Sequence, residues 1–216
     1  MDDSLDHQPP HGHHFTSAGQ ERRADLLGLW LFIATEVMMF GALFMAVIVY
    51  RSTLPDAVRE GAHHLNLWIG GLNTAVLLTS SMTIALAVVE ARRGRSGRTA
   101  ALLAATAALG GAFLGIKAYE YAKEYREGLI PGIGPAFPSD DRAVELFFNI
   151  YFTATGLHAV HLIIGVGAVL LLAFRVRRGT TRLPERRISV ESLGLYWHFV
   201  DIVWVFLYPA LYLVGR

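Results

Sequence analysis

The stretch Tyr196-Trp197-His198-Phe199-Val200-Asp201-Ile202-Val203-Trp204 decides how this 216-residue chain is read. It lies inside an apolar segment, 193–214, that is long enough to cross a bilayer. A span needs about 20 apolar residues for some 30 Å of hydrocarbon. A histidine and an aspartate three residues apart are costly at that depth. Intramembrane ionisable groups ordinarily face other protein and mark function. The polar residues within apolar segments are therefore the ones to follow.

Working outward, four more apolar blocks of this length precede it, at 26–50, 65–89, 99–119 and 146–174. Charged residues make up 17% of the chain, below the roughly 25% of soluble domains, and 53% is hydrophobic. Lipid offers no partner to backbone N–H and C=O groups, so each block is expected to be a helix. The expectation is an all-α polytopic membrane protein with five transmembrane helices. Residues 1–24 read as a polar tail and 25–216 as one transmembrane domain. His7, His11, His13 and His14 fall in that tail, where solvation is the plainer reading than metal binding. The first block exceeds a signal h-region and lacks a small-residue cleavage pattern, so it is taken as a retained helix. The chain has no cysteine, which excludes disulfides, thiolate metal sites, iron–sulfur clusters and cysteine nucleophiles. No nucleic-acid partner is expected.

Basic residues are unevenly shared between the two sides. Arg22, Arg23, Arg92, Arg93, Arg95, Arg98, Arg175, Arg177, Arg178, Arg182, Arg186 and Arg187 fall on one. The other holds Arg51, Arg59, Lys123, Arg126, Arg142 and Arg216. The positive-inside rule then puts the N-terminus in the cytoplasm and the C-terminus outside. On the outer side, the glycines and prolines of 128–138 predict an irregular cover over the helix ends. Ser139-Asp140-Asp141 can cap the helix that follows.

Glu36 interrupts the first block near mid-bilayer. Burial there disfavours the ionised carboxylate, which leaves two readings: a neutral packing residue or a proton-linked one. Thr74, Thr79, Ser80, Ser81 and Thr83, with Asn73, suit close helix approach and interhelical hydrogen bonds. Lys117 can meet Glu120 at i, i+3 and Tyr121 at i, i+4, an ion pair expected to be structural, with Glu124 one turn beyond Glu120. His158 and His161, also i, i+3, suit either a metal site needing a third ligand or a polar seam between helices. Glu191, His198 and Asp201 share one stripe of the last helix. His198 and Asp201 can pair with each other or reach His158 and His161, and Trp197 and Trp204 suit helix packing.

These residues together resemble subunit III of the haem–copper oxygen reductases, the cytochrome c oxidase and quinol oxidase group. The likeness rests on Ala34-Thr-Glu36-Val-Met-Met-Phe, Asn73-Thr-Ala-Val-Leu-Leu, Glu120-Tyr121, Thr155-Gly-Leu-His158-Ala-Val-His161 and the 196–204 run, in that order. It implies a helical bundle with a V-shaped, phospholipid-holding cleft, packed directly on oxidase subunit I in a complex that also contains subunit II. It implies no catalytic residue, no metal and no cofactor in this chain, haem and copper lying in the partner subunits. The implied role is support of proton uptake, lipid binding and stability of the catalytic subunit in aerobic respiration, in a bacterial cytoplasmic membrane. By resemblance Glu36 is a proton-linked, carbodiimide-reactive carboxylate. Arg175, His158 and His198 are lipid-binding, and His161, Asp201 and Glu120 form a structural polar seam. Longer members carry two further N-terminal helices, and five-helix forms also occur. The alternatives are an accessory subunit of a quinol oxidase or nitric oxide reductase complex, an independent membrane haem or metal protein using His158, His161 and His198, or a transporter using Glu36 and Lys117.

Overall fold

The computed structural model describes residues 18–132, 141–181, 183 and 187–213, with side chains from residue 27 onward. Among these residues the chain is entirely helical: α1 (Ala18–Thr53), α2 (Pro55–His64), α3 (Leu67–Arg92), α4 (Ser96–Arg126), α5 (Arg142–Arg177) and α6 (Arg187–Tyr212). Five of the six are long and apolar enough to span a membrane. Each corresponds to one of the expected blocks: α1, α4 and α5 extend past theirs at both ends, while α3 begins two residues into its block, after the Asn66 cap, and α6 ends at Tyr212 within its own. Residues 18–24, expected in the tail, belong to α1, because Gln20, Glu21, Arg22 and Arg23 favour helix even outside lipid. The histidine cluster of the tail and most of the Gly/Pro cover lie outside the described residues.

The sixth helix, α2, is not among the expected blocks. Its ten residues begin with Pro55 at N1 and Asp56 in the first turn, both favourable helix starts. Ala57, Val58, Gly61 and Ala62 face inward while Asp56, Arg59 and Glu60 face out. A helix this short and polar-faced lies along a surface rather than through it, and it packs mainly on α5. Gly61 meets the Phe147 ring so closely that any Cβ would collide with it.

Helices α3, α4, α5 and α6 form a closed ring in which α3 and α5 are diagonal. Between membrane helices the hydrophobic effect is weak, so small residues and hydrogen bonds must hold this ring. Trp197 shows how. Its ring is fully buried, and a Cβ on Gly110 would come within 2.8 Å of it. Its indole N–H donates to Ser80 Oγ at 3.0 Å. One turn pair outward, Trp204 donates to Thr74 Oγ1 at 3.1 Å, and Thr83 meets Thr106 at 2.8 Å across α3 and α4. Helix α1 stands outside the ring, seated mainly on α6 with a smaller contact on α5. An apolar groove lined by Leu43, Ala46, Asn149, Ile150 and Thr153 runs between α1 and α5.

The ends are closed by the sequence. Asn66 accepts the N–H groups of Trp68 and Ile69 at the start of α3, and Asp141 accepts that of Ala143 at the start of α5. At the end of α4, Gly128 adopts φ +74, so its N–H reaches the Tyr125 carbonyl and Leu129 N–H reaches Glu124 O at 2.9 Å.

Candidate functional site

Where α1 crosses α5 and α6, Glu36 meets His161. Glu36 Oε2 lies 2.9 Å from His161 Nε2, with both side chains nearly buried. His161 Nδ1 is 2.8 Å from the Leu157 carbonyl. A carbonyl only accepts, so Nδ1 carries a hydrogen. Nε2 then faces the Glu36 carboxyl at ion-pair distance, without a well-formed hydrogen bond to Oε2 among the described residues. Phe40 presents its ring to His161 with centroids 5.3 Å apart, and Tyr196 O–H donates to the His161 carbonyl at 3.0 Å. The pair thus sits among aromatic rings and ties the loosely held α1 to the ring of helices.

The two histidines of α5 have separate fates. His158 is wholly buried between Phe113, centroids 5.7 Å, and Trp204, centroids 5.1 Å. Neither ring nitrogen has a hydrogen-bond partner among the described residues. His158 was expected at lipid; its place in the core corrects that reading, since the aromatic side chains close it off from the bilayer. A contact of His161 with Asp201 was one of the open readings; His161 instead faces Glu36. The i, i+3 spacing is compatible with both because a bundle helix presents adjacent stripes to different neighbours. Among the described residues no group of three or more His, Asp or Glu is gathered as a metal site.

The last-helix stripe faces α3 rather than α5. Glu191 binds Arg92 at 2.8 Å, and His198 Nδ1 lies 2.6 Å from Ser81 Oγ. Asp201, 2% exposed, has the Ser81 side chain beside it and, among the described residues, no well-formed hydrogen bond to either oxygen. A Ser81 hydroxyl that accepts from His198 Nδ1–H is free to donate toward Asp201, so serine stands between two residues for which direct pairing was one of the two readings. His198 is partly exposed, and Arg175 is exposed at the far end of α5 from the α1–α5 groove.

Lys117 is the centre of a second cluster. Its ammonium donates to Glu120 Oε2 at 2.8 Å, Tyr151 O–H at 2.8 Å and Tyr212 O–H at 2.7 Å. Tyr212 donates on to Glu120 Oε1 at 2.9 Å, and Tyr151 to Glu124 Oε1 at 2.8 Å. The Lys117–Glu120 pair matches the sequence expectation. Tyr151 and Tyr212 were missed, and only their place near the ends of apolar blocks could have hinted at them. At the opposite end, Glu90 gathers Arg93, Arg95 and Arg98 at 2.9, 3.3 and 3.8 Å.

These features define an integral membrane bundle with ionisable groups buried inside the protein, several of them paired with one another. Residues 8–216 match the model of the cytochrome c oxidase subunit III family, and the chain belongs to that family. It is 31% identical over 191 residues to cytochrome c oxidase subunit 3 of Thermostichus vulcanus, covering 88% of each chain. It is 31% identical over 207 residues to cytochrome bo(3) ubiquinol oxidase subunit 3 of Pseudomonas aeruginosa, 94% of this chain and 91% of that one. The probable quinol oxidase subunit 3 of Staphylococcus haemolyticus is 28% identical over 200 residues, 92% and 93% of the two chains.

Proposed function

We propose that this chain is the non-catalytic subunit III of a respiratory haem–copper terminal oxidase and has no redox centre of its own. It packs directly on subunit I, in a complex with subunit II, within a bacterial cytoplasmic membrane, N-terminus inward. Haem and copper belong to the partners. The electron donor, cytochrome c or quinol, is likewise chosen by them, as relatives of both names fit this chain equally well.

The observation that carries the reading is the Glu36–His161 pair. A catalytic carboxylate needs a reacting atom within reach. Glu36 instead spends its contact on a histidine whose other nitrogen is already held by backbone. Its role is to fix α1, and through α1 the face this subunit offers to its neighbour. That face includes Trp30, Leu31, Val37 and Met38, all exposed in the chain alone. A rigid wall there sets hydration around the neighbour's proton entrance.

Phospholipid completes the wall. Acyl chain fits the apolar α1–α5 groove, and the exposed Arg175 and Arg178 hold anionic headgroups at the other membrane face, at about 1 kcal/mol per basic residue. His158 takes no part, being in the core.

The test is purification in mild detergent with masses of the companions and an optical spectrum of each fraction. Co-purification with the oxidase subunits, and haem absorption only where they are present, supports the proposal. Isolated chain that is coloured and turns over oxygen overturns it and revives the independent haem protein. Substrate uptake by the chain alone in vesicles overturns it in favour of a transporter.

A further inference from the structure

The Lys117 cluster accounts for its protons with one exception. The ammonium uses all three hydrogens, and the two tyrosine hydroxyls use theirs on Glu120 and Glu124. Glu120 accepts at both oxygens, one of them from the ammonium, so Lys117 and Glu120 cancel in charge. Glu124 accepts at Oε1 only. Its Oε2 is buried without a hydrogen-bond partner among the described residues, in a side chain 3% exposed. An ionised Glu124 would leave the cluster with one uncompensated negative charge and a bare carboxylate oxygen out of water, an expensive arrangement. One proton on Oε2 makes the cluster neutral.

We propose that Glu124 is the binding site of one exchangeable proton, held with Lys117, Glu120, Tyr151 and Tyr212 where α4, α5 and α6 meet. The site is distinct from Glu36, which lies on another helix and pairs with His161. Its surroundings are consistent among the described residues. α4 presents Lys117, Glu120, Tyr121 and, one turn on, Glu127, itself held by Lys123 at 3.6 Å. α5 presents Tyr151 and, facing Lys117, His158; α6 presents Tyr212. The ionisable side chains of α3, Glu90 and Arg92, are at its far end. The position suits exchange: Glu124 is two residues from the end of α4, where the Gly128 turn brings Leu129 back onto its carbonyl. A proton entering at this end reaches Oε2 without crossing the bundle. The tyrosines and Lys117 then stabilise the cluster in both states, because the Tyr151 hydroxyl donates to Oε1 whether or not Oε2 is protonated.

Infrared difference spectra of the complex purified with this chain, titrated with pH in H2O and in D2O, test the site. A protonated-carboxyl carbonyl band is expected at neutral pH, shifting in D2O, fading as pH rises, and lost in Glu124→Gln. Glu120→Gln should also abolish it, with Glu124 intact, since Glu124 then becomes the sole anion for Lys117. Lys117→Gln should add a second such band from Glu120. A band unchanged by Glu124→Gln, or one lost there but insensitive to both pH and D2O, overturns the proposal. Persistence of the band in Glu120→Gln overturns it as well. That variant keeps the test decisive should Glu124→Gln fail to assemble.

Discussion

Glu36 on α1 and His161 on α5 stand 2.9 Å apart, 125 residues apart in sequence, with the histidine's second nitrogen fixed by the Leu157 carbonyl. The contact is one of two polar ties between α1 and α5 among the described residues, the other being the Tyr50 hydroxyl donating to the Ala143 carbonyl, while α1 packs on α6 through side chains such as Phe40 and Phe44.

Carbodiimides label the carboxyl groups they can reach, and Glu36 is nearly buried against His161. His161→Ala opens that side of Glu36, so labelling should increase, read by mass spectrometry of the modified peptide. Labelling equal to the parent's would separate Glu36 from His161.

Glu36→Gln keeps shape and hydrogen-bonding capacity. Steady-state oxygen reduction by the complex should stay within about twofold of the parent, a barrier change well under the 1.36 kcal/mol that makes a tenfold rate effect. Collapse to background in an oxygen-electrode assay would make Glu36 catalytic.

Lys117→Met leaves Glu120 buried with no cation, and breaking such a pair costs about 3–5 kcal/mol. The thermal transition of the subunit should drop sharply. The double variant Lys117→Met, Glu120→Gln should recover much of the loss, because two neutral groups of similar size need no counter-charge. Equal destabilisation by single and double variants would contradict the pairing.

Trp197→Phe deletes one interhelical hydrogen bond while keeping most of the ring. Such bonds contribute about 0.6 kcal/mol and at most about 1.7 kcal/mol in membrane bundles, so a small loss is expected. Ser80→Ala should produce a similar loss, and the two together little more than either alone, in a chemical unfolding series. Gly110→Leu, by contrast, forces a side chain into the indole and should cost about 1–3 kcal/mol or more.

Arg175→Ala should lower anionic phospholipid retained on purification and shorten the enzyme's working life under turnover. The loss expected is about 1 kcal/mol for that headgroup contact. Equal lipid content and equal turnovers before inactivation would count against a lipid role for Arg175.

Much of this molecule was legible along the chain. The five spans, the Asp141 cap, the Lys117–Glu120 pair and the Trp and hydroxyl packing residues all follow from spacing within one or two turns. The misreadings share one cause. His158 and His161 look equivalent at i, i+3, yet one points into the α3–α6 ring and the other at α1. His198 and Asp201 look like partners, yet Ser81 of α3 lies between them. Helix α2 escaped notice because its apolar residues are small and its span too short to register as a block.

From residues alone came the number of spans and the kinds of group buried in them, since lipid obliges every backbone amide to bond within its own helix and so makes length and apolarity sufficient signals. The three-dimensional packing alone decided which buried groups meet. That choice depends on atoms from separate helices coming within about 3 Å of each other, and nothing in the local repeat of a helix sets the distance to its neighbour.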